Sequence, residues 1–238
     1  MSKLDFKGLD AGRRERKMRI VLLGATGFLG HYVLPALSGR GHRCVALTRY
    51  RPGCRELGVL PRVSVVQNRK FDLESLAPHF EGTDAAVNMV GILNESGRKG
   101  KGFHKAHVEL TRTMLDACRE AGVHRFIQVS SLGAGQGTSH YLTSKGEAED
   151  LVRSADDVDA TIIRPSVIFG RGDSFFNRFA ALLKIAPALP LACPEARMQP
   201  VWAGDVAELI ARVIEDKSSY GRSLDAVGPA EYSLRELV

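Results

Sequence analysis

Long apolar runs are missing from this sequence: Arg, Lys, Asp or Glu interrupts every candidate well short of the roughly 20 residues that cross a bilayer. No segment therefore reads as a membrane-spanning helix. The stretch from Met1 to Lys17 has basic residues but no apolar centre, so it does not read as a secretory signal and is expected to be a short solvated lead. Cysteine is scarce as well. Cys44, Cys54, Cys118 and Cys193 stand far apart without metal-ligand spacing, and they read as reduced, mostly buried thiols of a cytoplasmic protein that holds no metal. Aromatic residues make up 7%, and the basic residues behind a net charge of +6 are spread along the chain. Nucleic-acid recognition is not expected, because no basic stretch is interleaved with aromatics. The charge is better suited to anionic cofactors, acidic partners or solubility.

What is present is an ordinary globular composition, 44% hydrophobic and 25% charged over 238 residues, enough for one sizeable core. Apolar runs alternate with helical stretches over the first two thirds. Strands are expected at Arg19–Leu23, Arg43–Leu47, Val63–Gln67, Ala85–Val90, Arg125–Ser130 and Ala160–Ile163, and helices near Leu29–Ser38, Leu73–Phe80, Lys105–Ala121 and Leu142–Ser154. That alternation implies an α/β fold, a doubly wound parallel sheet with helices on both faces and strand order 3-2-1-4-5-6. In such a sheet the segments following each strand converge on one cleft. After Ile163 the pattern breaks into loops punctuated by proline and glycine, where a substrate-side lobe is expected, followed by a helix at Gly204–Glu215 and a strand at Ser223–Val227.

The most informative segment is Gly24-Ala25-Thr26-Gly27-Phe28-Leu29-Gly30, directly after the first strand and opening the first helix. A strand that turns sharply into a helix offers backbone N–H groups and a partial positive charge to a dinucleotide's pyrophosphate. Gly24 supplies an unusual backbone angle, Gly27 lets the phosphates approach, and Gly30 lets helix and sheet pack closely. After the second strand, Arg49 takes the place where a carboxylate would bind the ribose hydroxyls of NAD. A guanidinium there pairs with a 2′-phosphate and favours NADP(H), with NAD(H) the weaker alternative, unless Arg49 is simply a surface residue. Arg51 and Arg55 stand close enough in sequence to assist. Asp72 suits equally an acceptor for the adenine amino group and a helix N-cap.

Ser131, Tyr141 and Lys145 form a second constellation. Tyr141 and Lys145 are four residues apart, on one face of a helix that begins at the cleft. A tyrosine with a pKa near 10 is a poor base at neutral pH. A neighbouring ammonium favours the phenolate, so the pair can move a proton to or from a substrate oxygen, and Ser131 at the end of the fifth strand can bond the same oxygen.

With these motifs the chain resembles the short-chain dehydrogenase/reductase superfamily from about Met18 to Val238, in its extended or atypical branch with the Gly-x-x-Gly-x-x-Gly spacing. The resemblance implies a Rossmann-type domain over 18–166 and a substrate-side lobe over 167–238, interleaved with the last Rossmann elements. It places Gly24, Thr26, Gly27, Phe28 and Leu29 along the cofactor phosphates, Val90 and Gly91 near its ribose, Tyr141 and Lys145 at the nicotinamide ribose, and Pro165 and Ser166 beside the nicotinamide. Tyr141-Leu142-x-x-Lys145, Pro165-Ser166-x-Ile168-Phe169-Gly170-Arg171 and Gln199-Pro200-Val201 narrow it. They are similar to the family of the nucleotide-binding accessory subunit of respiratory complex I (alpha subcomplex subunit 9) and its bacterial relatives.

That likeness implies NADPH held in a structural, assembly or redox-sensing role. A respiratory complex or other protein would be the partner, with peripheral association at the inner face of the cytoplasmic membrane. The alternative is an active NADP-dependent oxidoreductase or epimerase/dehydratase using Ser131, Tyr141 and Lys145. Two departures stand out. His107 occupies the position where many extended members carry an active-site Asn, and on a helix it reads first as a surface residue. The relatives also continue past the position of Val238, so the lobe is expected to be incomplete.

Overall fold

The computed structural model describes residues 17–50, 52–95, 99–185 and 190–238. Seven parallel strands form the central sheet: β1 Arg19–Leu23, β2 Arg43–Thr48, β3 Val63–Gln67, β4 Ala85–Asn88, β5 Arg125–Val129, β6 Asp159–Pro165 and β7 Ser223–Ala226. Their order is β3-β2-β1-β4-β5-β6-β7, the expected arrangement with β7 added beside β6. In register, Leu23 at the end of β1 lies opposite Leu47 of β2 and Asn88 of β4. The ends of these strands, where the site forms, are therefore level.

Side chains alternate across β1, and each face builds its own core. Ile20 and Leu22 pack under Val33, Leu34 and Leu37 of helix Gly30–Gly39 and Val206 and Ile210 of helix Ala203–Val213. Val21 and Leu23 pack on the other face with Leu76 and Phe80 of helix Leu73–Phe80, Met114 of helix Leu110–Ala121 and Val152 of helix His140–Arg153. Cys44, Cys54 and Cys118 are buried free thiols and Cys193 is exposed. Burial pushes Cys44 and Cys118 up to about 12, so both are inert at neutral pH.

Three elements depart from the sequence reading. A 3-10 helix, Pro52–Val59, fills the connection after β2. The helix expected from Lys105 begins earlier: a helical turn, Lys101–Phe103, runs into a π-helical stretch, His104–Glu109, and on into Leu110–Ala121. Helix Phe176–Leu183 stands in the loop-rich stretch where short elements were expected but none was placed, because its apolar spacing is short and flanked by breakers. Among the described residues no helix is long and apolar enough to cross a membrane. The lead ahead of Lys17 lies outside the described residues.

Candidate functional site

A cleft of about 1930 Å³ opens over the carboxyl ends of the strands. Pockets for drug-sized ligands occupy about 300–1,000 Å³, so this one has room for a dinucleotide and a second molecule. Of the residues singled out in the sequence, Gly24, Thr26, Gly27, Phe28, Leu29, Arg49, Asp72, Val90, Gly91, Ser131, Tyr141, Lys145, Pro165 and Ser166 all line it. Gly30 does not reach its wall. A Cβ on Gly30 would stand 1.9 Å from the Ala25 carbonyl oxygen, so this glycine serves the close approach of turn and helix rather than contact with a ligand.

The other two glycines divide the work differently. Gly24 has φ +80°, and a Cβ there would come within 2.7 Å of the Met89 carbonyl carbon. Both its angle and the neighbouring strand end require glycine. Gly27 donates its N–H to the Gly24 carbonyl at 3.0 Å, and an added Cβ would meet only that oxygen, at 3.2 Å. The side of Gly27 that faces the cleft is thus left clear. Helix Gly30–Gly39 follows with no side-chain cap at its N-terminus, leaving that end able to take an anion.

Past β2 and β3 the wall turns basic. Exposed Arg49 is joined by exposed Arg69 and Lys70, two cations the sequence reading passed over. Their position just after β3 and just before Asp72 was the available signal. Arg51 and the side chain of Arg55 lie outside the described residues. Asp72 is the N-cap of helix Leu73–Phe80, accepting from the Ser75 N–H at 3.0 Å, and its hydrogen bonds to Ser75 hold the carboxyl below its usual range. It is therefore the N-cap the sequence offered, and it lines the cleft as well.

The segment after β4 is pinned by three buried side chains from three elements. Asn88, whose amide donates to Thr111 Oγ1 and Gln128 Oε1 at 3.0 Å each, accepts the Val90 N–H at 3.1 Å. Lys145 Nζ donates to the Val90 carbonyl at 3.3 Å and to the Val129 carbonyl at 3.3 Å. His107 Nε2 accepts the Ile92 N–H at 3.2 Å, which leaves the proton on Nδ1, 2.8 Å from Ser144 Oγ. Ser144 in turn donates to the Tyr141 carbonyl. His107 is 1% exposed and belongs to the π-helical stretch, so it is not the surface histidine expected. The sequence held no signal for this, because the π geometry rotates the side chain off the face that 3.6-residue periodicity assigns.

Tyr141 sits edge-on to His107 and Phe103, with ring centroids 5.6 and 5.9 Å away. Burial holds its phenol above the ordinary value, and a hydrogen bond from Ser131 pulls only partly the other way. The expected depression of Tyr141 by Lys145 is therefore not the balance in this arrangement, since the ammonium is turned to two carbonyl oxygens. Lys145 is itself pushed down to about 8 by burial, against the pull of Glu149 one turn on. Glu149, also buried, accepts from Arg164 Nε at 2.9 Å and from Arg153 Nη2 at 2.5 Å, and these partners keep it ionised. Pro165 and Ser166 close the end of β6, the Pro165 carbonyl accepting from Leu132 N and Ser166 N donating to the Ala226 carbonyl.

The chemistry available is thus anion binding at the glycine turn, cations after β2 and β3 able to meet a phosphate, and a half-buried phenol one helical turn from a buried ammonium. Residues 24–174 match the family described as NAD(P)H-binding. The mouse "NADH dehydrogenase [ubiquinone] 1 alpha subcomplex subunit 9, mitochondrial" is 33% identical over 91% of this chain and 58% of its own length. A ceramide reductase of Caulobacter vibrioides is 33% identical over 79% of the chain and 58% of its own length. The chain thus spans less than two thirds of these relatives. Among solved structures, a UDP-glucuronic acid 4-epimerase of Bacillus cereus, in complex with UDP-glucuronic acid and NAD, superposes with a TM-score of 0.79 at 18% identity. That superposition covers 92% of this chain and 80% of the epimerase.

Proposed function

The chain belongs to the NAD(P)H-binding family, and on that premise we propose that it takes NADPH in preference to NADH and presents it to a substrate carbonyl at Tyr141. The observation that carries the reading is the coincidence, in one cleft, of an open glycine turn, three cations beyond β2 and β3, and the group Ser131, Tyr141 and Lys145. Gly27 and the uncapped helix end would hold the pyrophosphate, and Arg49 with Arg69 and Lys70 the 2′-phosphate. Lys145 keeps one N–H beyond its two carbonyl bonds for a ribose hydroxyl. Bound nicotinamide supplies hydride chemistry. Tyr141, kept protonated by burial, is suited to give a proton to a carbonyl oxygen, with Ser131 bonding the same oxygen.

A second reading is favoured by the 91% coverage shared with the mouse relative, by name a subunit of NADH dehydrogenase. In it the same residues hold NADPH without turnover, and the partner is a respiratory complex at the membrane's inner face. Calorimetry with NADPH and NADH tests the shared premise, and equal affinities would remove the cofactor preference. NADPH consumption against a panel of aldehydes, ketones and nucleotide sugars, with wild type and Tyr141→Phe, separates the two readings. Consumption abolished by that substitution removes the purely structural one, and none with any substrate removes the enzymatic one.

A further inference from the structure

The lining contributed by the segments after β4, β5 and β6 differs in character from the basic lining after β2 and β3. Ile92, Leu93, Leu132, Val167, Phe175 and Met198 contribute apolar surface to it. Leu93 is 64% and Leu132 38% exposed, although each lines the cleft rather than a random patch of surface. From Phe175 the apolar path continues outward. The Phe175 ring stands 5.0 Å from Phe176 and 5.2 Å from Phe179, and Leu182, Leu183 and Ile185 follow, all exposed.

The charged groups contributed after β6 are already committed. Among the described lining residues contributed after β6, the one basic side chain is Arg197, and it is paired with Glu231 at 3.1 Å and Glu236 at 3.6 Å. The acidic ones are Glu231 and Asp173, and Asp173 accepts the Phe176 N–H at 2.7 Å at the start of helix Phe176–Leu183. A nucleotide sugar brings a diphosphate that needs unpaired cations, and lining that offers two carboxylates and a neutralised arginine opposes it. A hydrocarbon chain needs none, and each methylene moved from water onto such a wall gains about 0.8 kcal/mol.

We infer that the cleft beside Tyr141 takes a long-chain amphiphile, with its oxygen-bearing carbon at Ser131 and Tyr141 and its hydrocarbon chain along Leu93, Leu132 and Phe175 toward Phe179. The inference deepens the carbonyl-substrate reading and rests on it, because the oxygen-bearing end is placed by Tyr141. The chain direction is set by the exposed leucines and the run of aromatic rings, which no contact with a dinucleotide requires.

The test uses straight-chain alkanamides, whose carbonyl is not readily reduced, titrated from butanamide to decanamide into the NADPH-loaded protein by calorimetry. NADPH affinity is measured first, so absence of nucleotide binding strikes the cofactor reading and with it this inference. Affinity for the amides is expected to rise about fourfold per added methylene, the equivalent of about 0.8 kcal/mol. Leu93→Asp is expected to flatten that series while leaving NADPH affinity unchanged, and the exposure of Leu93 makes the variant tolerable to the fold. If Leu93→Asp fails to fold, Leu132→Asn serves in its place. Equal affinity along the series with NADPH bound, or UDP-glucose binding more tightly than decanamide, would overturn the inference and leave the cofactor reading standing.

Discussion

His107 and Ile92, fifteen residues apart in sequence, are joined by a bond from the Ile92 N–H to the imidazole Nε2 at 3.2 Å. Because the other ring nitrogen faces Ser144, this one side chain ties the segment after β4 to the helix that carries Tyr141 and Lys145. The bond requires a neutral ring, and burial with the nearby Lys145 ammonium pushes His107 down to about 3.

A pH dependence of stability follows. An unfolded histidine titrates near 6.5 and this one near 3 in the folded chain, so the unfolded state binds the extra proton between those values. The contribution of the neutral ring is complete above about pH 6.5 and is lost progressively as pH falls toward about 3. His107→Asn is expected to flatten that part of the profile in urea titrations at stepped pH. His107→Leu, which strands the Ile92 N–H while Ser144 keeps its bond to the Tyr141 carbonyl, is expected to cost about 1–3 kcal/mol for an unsatisfied group.

The three glycines should separate folding from binding. Gly30→Ala and Gly24→Ala place a Cβ 1.9 and 2.7 Å from backbone atoms and should lower the thermal midpoint severely or prevent folding. Gly27→Ala meets only the Gly24 oxygen at 3.2 Å, so it should fold and yet bind NADPH weakly, because the methyl group occupies the approach of the phosphates. Scanning calorimetry and nucleotide titration on the three variants check this order.

Arg49→Ala is expected to weaken NADPH by roughly tenfold or more, one charge-assisted hydrogen bond being worth about 1.5–3 kcal/mol, and to leave NADH nearly unchanged. Because Arg69 and Lys70 share that end of the cleft, the double variant with Arg69→Ala should narrow the gap further. Parallel calorimetric titrations with the two nucleotides read both effects.

Glu149→Leu leaves Arg164 and Arg153 without their shared carboxylate and removes the charge that supports Lys145. Both arginines keep access to water and Arg153 keeps its pair with Asp150, so the loss is expected to be about 1–3 kcal/mol, visible as a lowered urea midpoint. Its partners hold the Glu149 carboxyl below the usual value. Its contribution is therefore present above the unfolded carboxylate range and is lost as pH falls through the depressed value.

Much of this was legible in one dimension. The period-2 and period-3.6 patterns placed six strands and their main helices, and the glycine spacing located the turn, because these features arise from local sterics and from which face must be buried. Arg69, Lys70 and Asn88 were not legible as site residues. Nothing in a strand's sequence says that Asn88 will turn its amide to Thr111 and Gln128 while holding Val90 in place.

The strand order, the turn at Gly24 to Gly30 and the grouping of Ser131, Tyr141 and Lys145 follow from spacing and residue chemistry along the chain. Folding in three dimensions is what buries His107 edge-on to Tyr141, turns Lys145 to the carbonyls of Val90 and Val129, and holds Tyr141 protonated rather than drawn toward its anion. One cause underlies all three. Desolvation and the direction of a hydrogen bond depend on which distant segments close over a side chain, and that is set by packing rather than by neighbours in sequence.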